Sequence, residues 1–443
     1  MTQVVVCGAG IAGVSTAFHL TRAGINDVVI VDPLPPLTLT SDKSTECYRN
    51  WWPNEPMVRL MNRSIDLLEQ YAAESGDVFS MNRRGYLYLA GDAATLDQLT
   101  ATAKLATTAG AGELRIHDGR PAHSAYSTAP DKDGADLFVE RGQLRKHFPF
   151  VTDQAIGGLH ARRAGWLSAQ QLGTWMLEQA LEAGTTLVSS AVEAVNVSGG
   201  RIESVSLDDG STLPTPTFVN AAGPLLHQVG SLTGINLPVF SEIHAKTGFR
   251  DHFGAIPRDA PMIIWNDQQV IAWAEDESDF LRDEGRNDLL GLMPAGCHAR
   301  PEGGPDSPWA LGLWEYHSRP IDPIWPIPFD PMYTEVVLRG LAKMVPALAG
   351  YRDHLPEAHV DGGYYTKTVE NRPLAGPAGP AGAYVCGALS GFGIMAACGV
   401  GELVATAIAG GAMPDWARWF DLCRYEDPAY VRAIETSGDT GQL

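Results

Sequence analysis

Two rhythms of apolar residues open the chain. Gln3 to Cys7 is an unbroken apolar run, as a buried strand requires, and Ile11 to Ala23 repeats at helical spacing, with Gly24 placed to stop the helix. Val28 to Val31 is a second buried run and ends on Asp32, which completes a strand–helix–strand unit. Pro33, Pro35 and Pro36 then break regular structure. From Asn54 to Glu74 the spacing predicts a helix. Asn54 caps it, Pro56 suits its first turn, and Leu60, Ile65, Leu68 and Tyr71 follow one face.

Residues 80–150 read as mixed, with a strand at Tyr86 to Leu89, a helix near 94–108 and a polar loop around Asp131 to Asp136. Ser168 opens another helix: with Gln171 it forms a capping-box pattern, and Gly184 ends the segment. Val192–Val197, Ile202–Leu207 and Thr217–Ala221 read as strands, and Asp209-Gly210 as a hairpin turn. Residues 236–345 are rich in Pro and Trp, with β-like runs at Met262–Trp265 and Ala310–Trp314. A strand at Ala383–Cys386, a glycine-rich turn and an apolar helix close the pattern, and no internal repeat is visible. The two ends are expected to build one domain together, with the middle inserted as another.

Composition narrows the class. A chain of 443 residues suits two to three domain-sized units, and 45% apolar with 19% charged residues is an ordinary globular balance. Acidic side chains outnumber basic ones, 52 to 32, for a formal charge of −20. Such a surface repels phosphate backbones and anionic lipid, so neither nucleic acid nor membrane is an expected partner. The six cysteines show no CxxC pair, which fits a reducing cytoplasm. No signal peptide is read at the N-terminus, and no apolar stretch is long enough to span a bilayer.

The strand–helix–strand unit carries the first chemistry. Gly8, Gly10 and Gly13 stand as GxGxxG between strand and helix, and Asp32 lies nineteen residues after Gly13. Gly8 permits the tight turn, Gly10 lets the backbone approach a pyrophosphate, and Gly13 lets the helix pack on the strand. The helix N-terminus offers free N–H groups to phosphates. Asp32 can accept from a ribose diol and disfavours a 2′-phosphate. The loop alone leaves FAD, NAD and a structural dinucleotide open. HExxH, GxSxG, P-loop and CxxxxC patterns are absent.

Further segments resolve the choice. Val219-Asn220-Ala221-Ala222-Gly223-Pro224, Gly165-Trp166, the run from Asp361 to Thr368 followed by Pro373 and Gly376, and the run from Gly387 to Met395 occur in this order. Together with the N-terminal loop they resemble the FAD-dependent superfamily of D-amino acid oxidase, glycine oxidase and sarcosine oxidase. The resemblance implies an α/β fold, α+β overall. A discontinuous Rossmann-like FAD-binding domain (1–80, 150–235, 360–443) joins a substrate domain on a large antiparallel sheet (81–149, 236–359). It implies FAD contacts at Gly8, Gly10, Ile11, Ala12, Gly13, Asp32 and Pro33, and at Ser44, Thr45, Arg49 and Val192. Further contacts are implied at Ala222, Gly223, Gly387, Ser390, Gly391, Phe392, Gly393, Ile394 and Met395. The implied chemistry is C–N oxidation of a small amine or amino acid: hydride passes to flavin N5 and the imine hydrolyses. Oxygen or another acceptor then takes the electrons.

The substrate end departs from the family. Trp52 and Met395 stand where sarcosine oxidases hold the substrate carboxylate with arginine and lysine, and Tyr365 aligns with a glycine oxidase arginine. A buried carboxylate without a cation is costly, so a larger or less acidic amine is expected, against a wall of Tyr48, Trp51, Trp52 and Tyr365. Those aromatics also suit simple core packing, and Arg372, Lys367 or Lys246 offer a cation from another side. Arg49, Tyr365 and Lys246 are the candidate catalytic residues. Lys246 stands in for the oxygen-activating lysine, since Ala310 to His317 offers Leu313 and Trp314 at its place. His317 reads as structural. Gly363 replaces the flavin-linking cysteine of sarcosine oxidases, so FAD is expected to be non-covalent, with Cys47 the one alternative attachment site. Competing readings are a non-catalytic flavoprotein in complex assembly, a dehydrogenase with a protein acceptor, and a flavin monooxygenase, for which no second dinucleotide loop is found.

Overall fold

The structure, a computed structural model, describes residues 3–120 and 126–435. Its N-terminal strand Val4–Cys7 lies inside a six-stranded sheet. The order is Leu374–Pro377, Ala383–Gly387, Phe218–Asn220, Val4–Cys7, Val28–Val31, Thr186–Val188. Every pairing is parallel except the first. The central strands Val4–Cys7 and Val28–Val31 are buried throughout, which is why these two runs are continuously apolar instead of alternating.

The helices Ile11–Arg22 and Gly393–Ile408 pack against each other over this sheet. Small residues make that possible: a Cβ at Gly401 would lie 2.5 Å from Ser15 Oγ, and one at Gly399 would lie 3.0 Å from Leu60 of the helix Glu55–Ser75. The expected N-caps are present, but the capping box at Ser168 is not closed, because its N–H donates to Phe79 O at 2.7 Å. Asn54 accepts from Met57 N at 3.2 Å, and Ser168 Oγ accepts from Gln171 N at 3.3 Å. A separate three-stranded sheet, Val192–Ser198, Arg201–Leu207 and Thr212–Pro214, turns at Gly210.

The second large layer has nine strands. Its order is Ala358–Lys367, Phe240–Arg250, Trp309–Leu313, Cys297–Pro301, Met262–Trp265, Tyr86–Ala90, Gly157–Ala161, Ala135–Phe138, Leu114–His117. It is mixed: Met262–Trp265 pairs with Tyr86–Ala90 in parallel, as does Leu114–His117 with Ala135–Phe138, and the other pairings are antiparallel. Alternation divides its faces. Leu87, Leu89, Ile263 and Trp265 join the core that includes Val337 and Leu341 of the helix Tyr333–Met344. Tyr86, Tyr88, Met262 and Ile264 join the core of the dinucleotide half.

Three expectations need correction. Gly157–Ala161 and Ala358–Lys367 are strands of the nine-stranded sheet, so boundaries at 150 and 360 put them on the wrong side. Both hydrogen-bond to inserted strands, a long-range pairing that no local pattern reveals. Asp136 belongs to a strand and is 1% exposed, instead of ending a polar loop. Arg115 and Arg162 donate to its carboxylate, and His117 Nε2 lies 2.9 Å from it. Although burial opposes ionisation, these partners hold its pKa down at about 2.

Candidate active site

The glycine loop forms the floor of a long cleft enclosing about 250 Å³. Gly8 adopts φ +111°, and a Cβ there would lie 2.4 Å from the Ala221 carbonyl. At Gly13 a Cβ would lie 1.9 Å from Gly8 O, so Gly13 serves helix–strand contact and does not line the cleft. A Cβ at Gly10 would instead project into the cleft, with Ser41 Oγ 3.4 Å away. Asp32 braces the turn: Oδ2 accepts from Ala9 N at 2.7 Å and Oδ1 from Leu34 N at 2.9 Å.

Most expected cofactor contacts meet at this cleft. Gly8, Gly10, Ile11, Ala12, Asp32, Pro33, Ser44, Val192, Ala222, Gly223, Gly387, Ser390, Gly391, Gly393 and Ile394 line it. Ala388 and Ser390 carry φ of 55° and 46°, which marks the tight turn before the helix Gly393–Ile408. A Cβ at Gly391 would lie 2.2 Å from the Tyr365 ring, so the turn and the sheet touch there.

Thr45, Arg49, Phe392 and Met395 line a second, inner cavity of about 40 Å³. Tyr365 and Gly391 line both, so the two adjoin at that contact. Trp52 also faces the inner cavity, with the Arg49 guanidinium 4.1 Å above its ring. Arg49 Nη1 donates to Trp51 O at 3.1 Å and to Tyr88 Oη at 2.8 Å.

Two expected wall residues lie elsewhere. In the strand Cys47–Arg49, Cys47 and Arg49 face the inner cavity. Alternation therefore turns Tyr48 away, and its hydroxyl donates to Asn82 O at 2.6 Å. Trp51 is a core residue that does not line the cavity. Lys246 is not at the cavity either: Nζ donates to Lys43 O at 2.7 Å and Ser44 O at 2.9 Å. Leu313 faces the cavity, whereas Trp314 turns away and donates to Pro294 O at 3.0 Å. Lys367 pairs with Glu242 at 2.5 Å, and Arg372 lies over Tyr430. His317 is 48% exposed, between Asp288 and Asp330.

The sheet and the segment just after the strand Trp309–Leu313 supply side chains that sequence reasoning missed: Tyr86, His244, Met262, His298 and, past the strand end, Glu315 line the inner cavity. His244 Nδ1 lies 2.9 Å from Glu315 Oε1, and Nε2 lies 3.5 Å from Glu242 Oε2. Burial alone would lower the His244 pKa, but the two carboxylates outweigh it and raise the value. His298 differs. Its Nδ1 lies 2.6 Å from Gly296 O, and burial lowers its pKa. Beneath, Arg300 is 1% exposed and donates from Nε and Nη2 to Thr45 O at 3.1 and 2.8 Å, fixing the segment between the cavities. A period-two pattern marks these groups in the sequence: Glu242, His244 and Lys246 on one strand, His298 and Arg300 on another.

A family profile described as "DAO: FAD dependent oxidoreductase" matches residues 3–407. The chain belongs to this family. Among solved structures, this oxidoreductase is similar to L-proline dehydrogenase from P. horikoshii (TM-score 0.75, 21% identity, 96% and 98% of the two chains covered). It is also similar to glycine oxidase from Geobacillus kaustophilus (TM-score 0.72, 16% identity, 95% and 98% covered). Among curated proteins, 269 residues (59% of this chain, 28% of the relative) are 23% identical to mitochondrial dimethylglycine dehydrogenase of Homo sapiens. Another 23% match, over 300 residues (68% and 32%), is to 4-methylaminobutanoate oxidase (formaldehyde-forming) of Paenarthrobacter nicotinovorans. The matched stretches span about a third or less of these curated relatives.

The geometry of the cleft fits a dinucleotide, and the family match makes that dinucleotide FAD. Backbone reaches it through a glycine whose missing side chain leaves room, and the first helical turn leaves N–H groups for phosphate oxygens. Among the described residues no group of His, Cys, Asp or Glu suits a metal ion, and no helix is long and apolar enough to cross a membrane.

Proposed function

We propose that this oxidoreductase oxidises the C–N bond of a small primary or secondary amine or amino acid. The supporting observation is the inner cavity, which adjoins the cofactor cleft at Tyr365 and Gly391. When bound, FAD supplies the two-electron acceptor for hydride from the carbon beside nitrogen. The nitrogen lone pair becomes the second C–N bond, and water hydrolyses the imine to a carbonyl compound and an amine. The chain's own residues orient the substrate and exclude water. Trp52, Phe392, Met262, Met395 and Leu313 form apolar wall, with Trp52 and Phe392 edge to face at 5.3 Å.

A substrate less acidic than glycine or sarcosine suits this wall. Glu315 puts a carboxylate beside the cavity, and the guanidinium of Arg49 is already bonded to Trp51 and Tyr88. The names of the two curated relatives specify N-methylated amino acids, which agrees in the N-alkylated amine but not in the missing carboxylate. FAD is bound without a covalent link. Cys47 Sγ lies 3.0 Å from Thr45 O, and burial raises its pKa, so it remains a thiol.

An anaerobic amine panel followed by flavin absorbance, then by admission of air, tests the reading. Bleaching by hydrophobic secondary amines in preference to sarcosine supports it. A flavin that no amine bleaches would overturn it. Acid precipitation should release all yellow colour.

A further inference from the structure

We infer that His298 accepts a hydrogen bond from the substrate's N–H through Nε2, and so selects primary and secondary amines over tertiary ones. The inference rests on the amine-oxidation reading and adds the class of amine.

The geometry begins with a carbonyl. Gly296 O can only accept, so the 2.6 Å contact places a proton on His298 Nδ1. In the neutral ring Nε2 is then a bare acceptor. Among the described residues no protein group bonds it, and the ring lines the inner cavity. Register fixes its place: His298 stands between Leu313 and Ile264 in the sheet, and Leu313 shares the cavity.

The surroundings keep the ring neutral. The titratable groups facing the same cavity are Cys47, Arg49, Tyr86, His244, Glu315 and Tyr365. Burial lowers the His298 pKa most; the bond to the Gly296 carbonyl and Glu315 oppose it, Arg49 and His244 add to it, and the net shift is downward. The ring is therefore an acceptor through the neutral and alkaline range. Hydride leaves the carbon beside a neutral nitrogen whose lone pair must stay available. A primary or secondary amine can donate N–H to Nε2 and keep that lone pair. A neutral tertiary amine has no N–H, so Nε2 would be left buried and unpaired. Sites built to bond a polar hydrogen reject analogues lacking it, because the site's own group is stranded.

The test uses the holoenzyme and two small amines that differ by one methyl, N-methylethylamine and N,N-dimethylethylamine, in anaerobic flavin reduction above pH 8. The wild type should favour the secondary amine by about tenfold to a hundredfold in the ratio of reduction rate to Kd. His298→Asn keeps a donor for Gly296 O and has no acceptor at the Nε2 position, so the preference should collapse toward parity. His298→Gln places an amide oxygen near the Nε2 position and should restore part of it. Flavin content shows whether each variant is folded and loaded. A wild type that favours the tertiary amine would overturn the inference, as would a loaded His298→Asn that keeps the wild-type preference. Failure of both amines to bleach bound flavin in the wild type would instead strike the amine-oxidation reading.

Discussion

His244 lies flat against Tyr365, with ring centroids 3.6 Å apart and planes 18° from parallel. The stack joins the phenol that borders both cavities to an imidazole held between Glu242 and Glu315. Sequence separation between the two rings is large, yet strand pairing sets them one step apart: Tyr365 is opposite Glu242 and His244 opposite Gly363.

This arrangement makes stability depend on pH in one direction. The folded-state pKa of His244 is raised above its ordinary 6.5, so its stabilising charge is fully present below pH 6.5 and is lost as pH rises through the folded value. His244→Phe retains a ring for Tyr365 but leaves Glu315 without its cation and Glu242 with Lys367 alone. It should cost about 3 kcal/mol at pH 6 and less at alkaline pH. Urea unfolding of both proteins at pH 6 and pH 9 checks this. An equal difference at both pH values would contradict it.

Asp32 offers a second test. Its two oxygens hold the N–H groups of Ala9 and Leu34, so the carboxylate shapes the glycine loop as well as bordering the cleft. Asp32→Ala should weaken FAD binding about tenfold to a hundredfold, the worth of 1–3 kcal/mol in lost hydrogen bonds. Flavin fluorescence titration of the apoprotein measures it. Undiminished affinity would show that the loop holds its shape without Asp32.

Gly13 carries a steric prediction. A Cβ at 1.9 Å from Gly8 O cannot be accommodated by rotating a side chain, because both partners are backbone. Gly13→Ala should push the helix Ile11–Arg22 off its strand and destabilise the fold by about 3 kcal/mol or more. Thermal unfolding of the FAD-free protein isolates this from cofactor affinity. Wild-type stability in that variant would exclude a packing role.

The cofactor half was legible because its signals are local. GxGxxG, the Asp32 strand end and the run Gly387–Met395 each lie within one turn or element, and short-range sterics dictate them. The substrate half was illegible for the opposite reason. His244 and His298 come from separate strands, Glu315 follows the end of a third, and they meet only through long-range pairing. Part of a signal existed: polar residues two apart in otherwise apolar strands mark a face turned toward something polar. Applied to Cys47–Arg49, the same rule turns Tyr48 away from the cavity that Cys47 and Arg49 line, and so removes it from the expected aromatic wall.

Lys246 decides between two roles for a buried cation. The family resemblance suggests a substitute for an oxygen-activating lysine. Its Nζ, however, is spent on the carbonyls of Lys43 and Ser44, directly before Thr45 at the inner cavity. Burial lowers its pKa, while Asp361, opposite in the sheet, and Glu46 favour the charged form. Lys246→Met removes both charge-assisted bonds and leaves two carbonyls short of a donor. FAD affinity should fall about thirtyfold, equivalent to roughly 2 kcal/mol. Reoxidation by air of the amine-reduced, FAD-saturated variant should match the wild type, because the ammonium touches neither cavity. Stopped-flow mixing with air-saturated buffer reads that rate directly. A slowing of about tenfold or more, with FAD affinity intact, would return Lys246 to oxygen chemistry and remove it from the loop.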